Sequence, residues 1–410
     1  MIEIDKIKSF ENSFFTFRTE EVNNPQEKTD DEINEKYLKG EVRIVTEQAR
    51  YPLNTIKEMF SGNDYILNPE FQRRHRWNTE KQSKLIESFI MNVPIPPIFL
   101  YEKDYSVYEV MDGLQRISAI KDFYENKYKL QGLEIWPELN NRNYSELPEQ
   151  IRKGIDRRYI SSIVLLKETA KSQKEAENIK QMVFSRINSG GAKLEDQEYR
   201  NSQCSGKFNE MIIELARNEY FCYIFDIPQK TDEENLAENI ISDELKEDPR
   251  FRTMKDVEFV LRFFALRKID MWNDISFSKF LDLYAKRADK IDDENILSQF
   301  RLLFEKTIKF AYDLFDDKAF CMFKLNKKTN NYRWTKSPKM IIYDAIMNVL
   351  SNYLEQSDEI IKKKEDVVKN FETLFIDNEL LLNNGRNTTK TAIQERINIF
   401  NNYFQDIVSK

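Results

Sequence analysis

Asp112, Gly113, Gln115 and Arg116 are the residues whose types and spacing could do chemistry together. They stand where an apolar run, Val107 to Met111, gives way to Ile117, Ile120 and Phe123 or Tyr124 at helical spacing. Residues 107–124 therefore read as strand, tight turn and helix. The first turn of a helix leaves backbone N–H groups unpaired and carries the positive end of the helix dipole. A glycine just before it lets a phosphate approach the backbone closely. Arg116 in that turn adds a donor fork suited to phosphate. Asp112 is placed to orient Arg116, to hold Mg2+ or to bind a ribose hydroxyl. The plainer reading of the same residues is an ordinary Asp-Gly turn and helix cap, with Gln115 three residues on.

Two further constellations share the N-terminal half. Phe71-Gln72-Arg73-Arg74-His75-Arg76-Trp77 combines three arginines with flanking aromatics, which suits a phosphate backbone or a stacked base. Arg74 and Arg76 are the candidate DNA contacts; the alternative is a solvated basic loop with Phe71 and Trp77 anchored in a core. Phe184-Ser185-Arg186-Ile187-Asn188-Ser189-Gly190-Gly191, followed by Leu194, Glu198 and Arg200, reads either as a helix stop and glycine turn or as a second wall of the Arg116 pocket, with Arg186 and Asn188 lining it. The aromatics at helical spacing in the C-terminal half are read as core, and the basic patch Arg386 to Lys390 is a weak candidate for partner contact.

The elements that must position these residues follow from the pattern. Residues 1–40 are polar and read as an arm or peripheral helix. A strand is expected at Val42, Ile44 and the following residues, a short helix up to Phe60, and a loop at Asn68-Pro69, since proline biases its predecessor away from helix. Thr79 with Gln82 reads as a capping box opening a helix with Leu85, Ile86, Phe89 and Ile90 on one face. Strands are expected at 95–101, 107–111 and 160–166, and a helix at 174–187. Beyond residue 200 helical spacing recurs at 206–217, 254–268, 295–316, 337–354, 357–375 and 388–408, while the acidic stretch 226–250 reads as a loop. The expected fold class is α+β, with an N-terminal arm at 1–40, a nucleotide- or DNA-binding domain at 41–200 and an all-helical domain at 201–410.

Composition excludes much else. The 410-residue chain carries 63 Lys+Arg against 70 Asp+Glu, a net charge of −7. The acid is local, with nine acidic and three basic side chains in 226–250, which leaves room for a basic groove elsewhere. A single histidine, His75, removes histidine triads, paired-histidine metal sites and histidine-metal nuclease fingers. Cys204, Cys222 and Cys321 have no CxxC spacing, so neither a disulfide framework nor structural zinc is expected, nor is haem. No apolar stretch of about 18 residues and no cationic leader stand in the sequence, so a cytoplasmic protein without membrane contact is expected.

Taken in order, Asn68-Pro69-x-Phe71-Gln72-Arg73, Trp77, Leu85-Ile86-Glu87-Ser88, Pro94-Ile95-Pro96, Asp112-Gly113-Leu114-Gln115-Arg116 and Phe184-x-Arg186-Ile187-Asn188-x-Gly190-Gly191 resemble the domain that forms the N-terminal half of GmrSD-type modification-dependent restriction systems. The resemblance covers about 45–200, and Phe251-Arg252-x-Met254-Lys255-Asp256-Val257-Glu258 in the helical tail resembles stand-alone members. It implies a ParB/sulfiredoxin-like fold and a phage-defence protein that binds and hydrolyses a nucleoside triphosphate and acts on or recognises foreign or modified DNA. By position it places Gln72 and Arg73 beside Asp112, Gly113, Gln115 and Arg116, with Arg186 and Asn188 closing the pocket. Asp112, Arg116, Gln115 and Arg73 are then the candidate catalytic residues, and Mg2+ with an NTP the candidate cofactors. Leu114 stands where the family usually has glutamine, which bears on nucleotide preference. With one histidine, the histidine-metal nuclease domain of fused members has no counterpart here, so cleavage is expected from the N-terminal domain or a partner nuclease. Two alternatives carry different expectations. A non-catalytic, nucleotide-dependent DNA-binding switch, with a homodimer as one form, binds nucleotide without turnover and grips DNA in a salt-dependent way. A protein-interaction scaffold of a defence system tolerates substitution of Arg73 and Arg116.

Overall fold

Alternation along the strands of the N-terminal half sorts its helices onto two faces. The computed structural model describes residues 2–15, 29–38, 44–67, 77–169, 172–189, 195–204, 206–236, 240–273, 275–326, 329–382 and 388–409. The chain opens with α1 (Ile4–Phe14), which groups with the C-terminal helices, followed by α2 (Asp30–Leu38). The sheet unit, Glu21–Leu194, continues with β1 (Thr46–Pro52), α3 (Ile56–Met59), β2 (Tyr65–Ile66), α4 (Thr79–Met91), β3 (Ile98–Asp104), β4 (Val107–Asp112), α5 (Leu114–Tyr124), α6 (Glu149–Asp156), β5 (Tyr159–Leu165) and α7 (Gln173–Ser189).

The strands form one mixed sheet in the order β1-β5-β3-β4-β2. β1 with β5 and β3 with β4 run antiparallel; β3 with β5 and β2 with β4 run parallel. Successive side chains on a strand point to opposite faces. Ile98, Leu100, Val110, Ile160 and Val164 enter one core with Ile86 and Phe89 of α4 and Ile117, Ile120 and Phe123 of α5. Tyr101, Met111 and Leu165, one step out of phase, enter a smaller cluster with Phe184 of α7. A buried ion pair joins the same two elements: Lys180 Nζ of α7 lies 2.7 Å from Glu109 Oε2 of β4, with the side chains 7% and 5% exposed.

Local chemistry sets the element ends. α4 begins one residue earlier in logic than the expected capping box: the N-cap is Asn78, whose side chain accepts from the Lys81 N–H at 3.0 Å. Glu87, buried on α4, accepts from the Ile135 and Trp136 N–H groups at 2.9 Å each and so holds the following loop. β1 falls among the residues after Ile44, where a strand was expected, and Val42 is outside the described residues.

The second unit comprises Met1–Glu20 and Glu195–Lys410. Its further elements are α8 (Asp196–Gln203), α9 (Lys207–Leu215), α10 (Glu219–Phe225), α11 (Asp243–Glu247), α12 (Pro249–Arg252), α13 (Lys255–Leu266), α14 (Phe277–Ala288), α15 (Glu294–Phe315), β6 (Phe323–Asn326), β7 (Asn331–Trp334), α16 (Met340–Leu350), α17 (Ser357–Lys362), α18 (Lys364–Asp377), α19 (Glu379–Leu382) and α20 (Lys390–Ser409). Phe208, Phe263, Phe264, Phe300 and Phe304 fill its core, as the aromatic spacing led one to expect. Three features differ from the sequence reading. The half expected to be all-helical contains one antiparallel hairpin, β6–β7. Short helices α11 and α12 interrupt the acidic stretch, each started by a side-chain cap, Ser242 and Asp248. And α1 is core rather than arm: Ile4, Ile7 and Phe15 are buried, and the Glu11 carboxylate, 3% exposed, accepts from Arg267 Nε and Nη2 at 2.9 and 3.0 Å.

Candidate anion site at the start of α5

The turn between β4 and α5 can be made only by glycine. Gly113 has φ 98° and ψ 5°, and a Cβ there would lie 2.4 Å from Ile98 Cγ2 and 2.9 Å from Ile98 Cβ. The first rung of α5 is the Ile117 N–H to the Gly113 carbonyl at 2.9 Å, so the amides ahead of it are outside the helix ladder.

Gly113 is itself the N-cap, and no side chain caps the helix. The ordinary capping arrangement of Asp112 and Gln115 is therefore not built. Asp112 Oδ2 instead accepts from Arg116 Nη2 at 2.7 Å, and the same Nη2 reaches the Pro97 carbonyl at 3.3 Å. Gln115 Oε1 accepts from the Trp77 N–H at 3.0 Å, which pins the chain entering α4 to the start of α5. The Arg116 side chain is 12% exposed and that of Asp112 38%. Arg116 Nε is buried without a hydrogen-bond partner among the described residues. A half-open carboxylate thus sits beside a nearly buried guanidinium that has an unused donor.

Among the described residues no group of three or more His, Cys, Asp or Glu side chains is arranged around a common metal. Mg2+ commonly takes one or two protein carboxylates and completes its shell with phosphate oxygens and water; with Asp112 Oδ2 held by Arg116, any such ion would rest on the other Asp112 oxygen.

Of the residues expected to share one pocket, Asp112, Gly113, Gln115 and Arg116 are described: they adjoin in sequence, Arg116 donates to Asp112, and Gln115 is held by the Trp77 amide. Gln72, Arg73, Arg74 and Arg76 lie outside the described residues, as do His75 and the side chain of Asn188. Arg186 is exposed on α7, two residues beyond buried Phe184. Arg200 is a structural residue of the helical unit: buried, it donates to Asp282 Oδ1 at 2.9 Å, Glu258 Oε2 at 3.1 Å and Ser278 Oγ at 2.8 Å, tying α8 to α13 and α14. The Phe251 to Glu258 motif serves the same packing, with Phe251, Met254, Asp256 and Val257 buried. In the patch Arg386 to Lys390, residues 386 and 387 are outside the described residues, and Lys390 donates to the Asp270 carbonyl. The roles of the Pro97 carbonyl and the Trp77 amide went unread, because a backbone group leaves no residue-type signal; the Pro96-Pro97 step before a strand was the nearest hint.

The three cysteines are buried free thiols. Burial pushes the Cys204 thiol up to about 12 and the Cys222 thiol up to about 11, which makes neither a nucleophile near neutral pH. No helix among the described residues is long and apolar enough to cross a membrane.

Fold and site together define an α+β domain with a five-stranded mixed sheet, in which a strand–glycine–helix turn holds an arginine against an aspartate at a helix start. Residues 56–205 match the model of the family described as GmrSD restriction endonuclease, N-terminal domain, so the resemblance carried by the motifs holds for this part of the chain. No curated protein and no solved structure matches the chain.

Proposed function

We propose that this protein is a restriction-type defence protein whose sheet unit binds a nucleoside triphosphate, as its Mg2+ complex, at the start of α5 and couples hydrolysis to recognition of or action on foreign DNA. The observation that carries the reading is the Asp112–Arg116 pair on a glycine-specific turn, with Arg116 Nε buried and unused. As a pair the two charges cancel, which suits a ligand carrying both signs. The cation of a Mg2+–phosphate complex would be drawn to Asp112, and phosphate oxygens to Arg116 and the free amides of the first turn. Fixed donors aimed at developing phosphate charge are the means by which such a site would speed hydrolysis. The family description supports the restriction context.

The test is calorimetric titration with each of the four NTPs and Mg2+, together with phosphate release, on wild type, Asp112→Ala and Arg116→Ala. Loss of a charged hydrogen bond of about 1.5–3 kcal/mol predicts binding weaker by roughly tenfold to a hundredfold in Arg116→Ala. If wild type neither binds nor hydrolyses any NTP and leaves phage DNA intact, the reading fails. Binding without turnover would favour the switch instead. That second reading is supported by the docking of α7 through a small apolar cluster and the buried Lys180–Glu109 pair, contacts that a ligand could shift.

A further inference from the structure

The face of β1 and β5 away from the larger core carries a second arrangement. The register pairs Gln48 with Ile163, Arg50 with Ser161 and Pro52 with Tyr159, so these side chains share one face. On the opposite face Ile160, Ser162 and Val164 are buried. On the shared face Gln48, Arg50 and Ser161 are exposed, and the Tyr159 ring is 57% exposed. Arg50 and Tyr159 are diagonal neighbours, about 7 Å apart.

The charge on this face bears on what it could hold. In a chain with 70 acidic against 63 basic side chains, the strand positions Thr46, Gln48, Arg50, Tyr159, Ser161 and Ile163 include no carboxylate. Elsewhere on the sheet unit Lys84, Lys127, Lys153 and Lys167 meet a carboxylate, whereas the exposed Lys57, Lys103 and Arg157 meet none among the described residues. Arg50 has no ion-pair partner among the described residues. In register the face is continuous with β4, with Phe99, in the row between, packed in the cluster that holds Ile179, Val183 and Phe184 of α7. Asp112 pairs with Phe99, Phe99 with Ile163 and Ile163 with Gln48, a single row across four strands. Three strand spacings put Gln48 about 14 Å from Asp112.

We propose that this face is a platform for single-stranded nucleic acid, with a base stacked on Tyr159 and a phosphate held by Arg50. An exposed ring on a sheet can stack only on a base whose face is free, and a duplex hides its base faces. An unpaired arginine on a face without carboxylates attracts phosphate rather than repelling it. The platform is independent of whether the anion site takes a nucleotide.

Fluorescence anisotropy of labelled oligo-dT and oligo-U with the full chain, across a salt series, tests this. Wild type should bind both, more weakly as salt rises. Tyr159→Ala should weaken binding about tenfold and Tyr159→Trp should restore it, as stacking on one base predicts. Arg50→Ala should flatten the salt dependence by about 0.7 in log–log slope. Both positions are exposed, so melting temperatures should be unchanged. Arg116→Ala should weaken NTP binding yet keep oligonucleotide binding, which separates this proposal from that of the anion site. No binding by wild type, binding unchanged in both Tyr159→Ala and Arg50→Ala, or equal competition by duplex would overturn it.

Discussion

Gly113 is where a single atom decides the geometry. Its φ of 98° disfavours any L side chain, and a Cβ would press on Ile98, itself fully buried at the head of β3. Gly113→Ala should therefore cost about 2–4 kcal/mol, combining left-handed strain with overpacking, read as a lower urea midpoint. If the midpoint is unmoved, the close approach of the turn to β3 is not as described. The same glycine shows what side-chain identity reveals. That Asp112-Gly113 makes a turn before a helix was legible, because few residues tolerate that backbone conformation. That Asp112 would grip Arg116 rather than cap the helix was not, because both arrangements use the same residues at the same spacing.

At the scale of elements, the packed ones were legible and the solvated ones were not. β5 was expected at 160–166 and spans Tyr159–Leu165, since its run of apolar residues has no other home. β1, Thr-Glu-Gln-Ala-Arg-Tyr-Pro, has no apolar alternation, because at the sheet edge its first residues, Thr46, Glu47 and Gln48, are exposed on both faces. The hairpin β6–β7 did carry a signal: Phe323 and Leu325 alternate, as do Tyr332 and Trp334, around a turn where Asn330 has φ 54°. α14 carried one too, in Phe280, Leu281, Tyr284 and Ala288 after the Ser276 cap. The Lys180–Glu109 pair could not be read at all, because its partners lie 71 residues apart and meet only once α7 crosses β4. Removing one buried charge strands the other. Lys180→Met alone should thus cost about 3–5 kcal/mol, and Lys180→Met with Glu109→Leu should regain most of it. A double variant no more stable than the single one would mean that the pair's hydrogen bonds, not its charges, hold α7.

At the scale of the whole molecule, the two units draw on the chain unequally. The sheet unit is one continuous stretch, whereas the helical unit needs both Met1–Glu20 and Glu195–Lys410. The seam is chemical: Glu11 on Arg267, Lys268 on Asn12, Arg287 on the Phe14 carbonyl, and the Phe15 ring stacked on Tyr284 at 4.5 Å. Glu11→Ala leaves Arg267 buried beside Ser351 alone, at a cost of about 3–5 kcal/mol. Hydrogen exchange should quicken in α13 to α15 and stay unchanged in β3 to β5; faster exchange in the strands would contradict the division into units.

Cutting the backbone once, between residues 194 and 195, would leave the helical fragment short of its own first helix. Residues 195–410 expressed by themselves would expose the cleft that Phe15 and Ile7 normally plug, and should clump or unfold. A synthetic peptide of residues 1–15 added in trans ought to seat there and rescue them, much as a missing keystone steadies an arch.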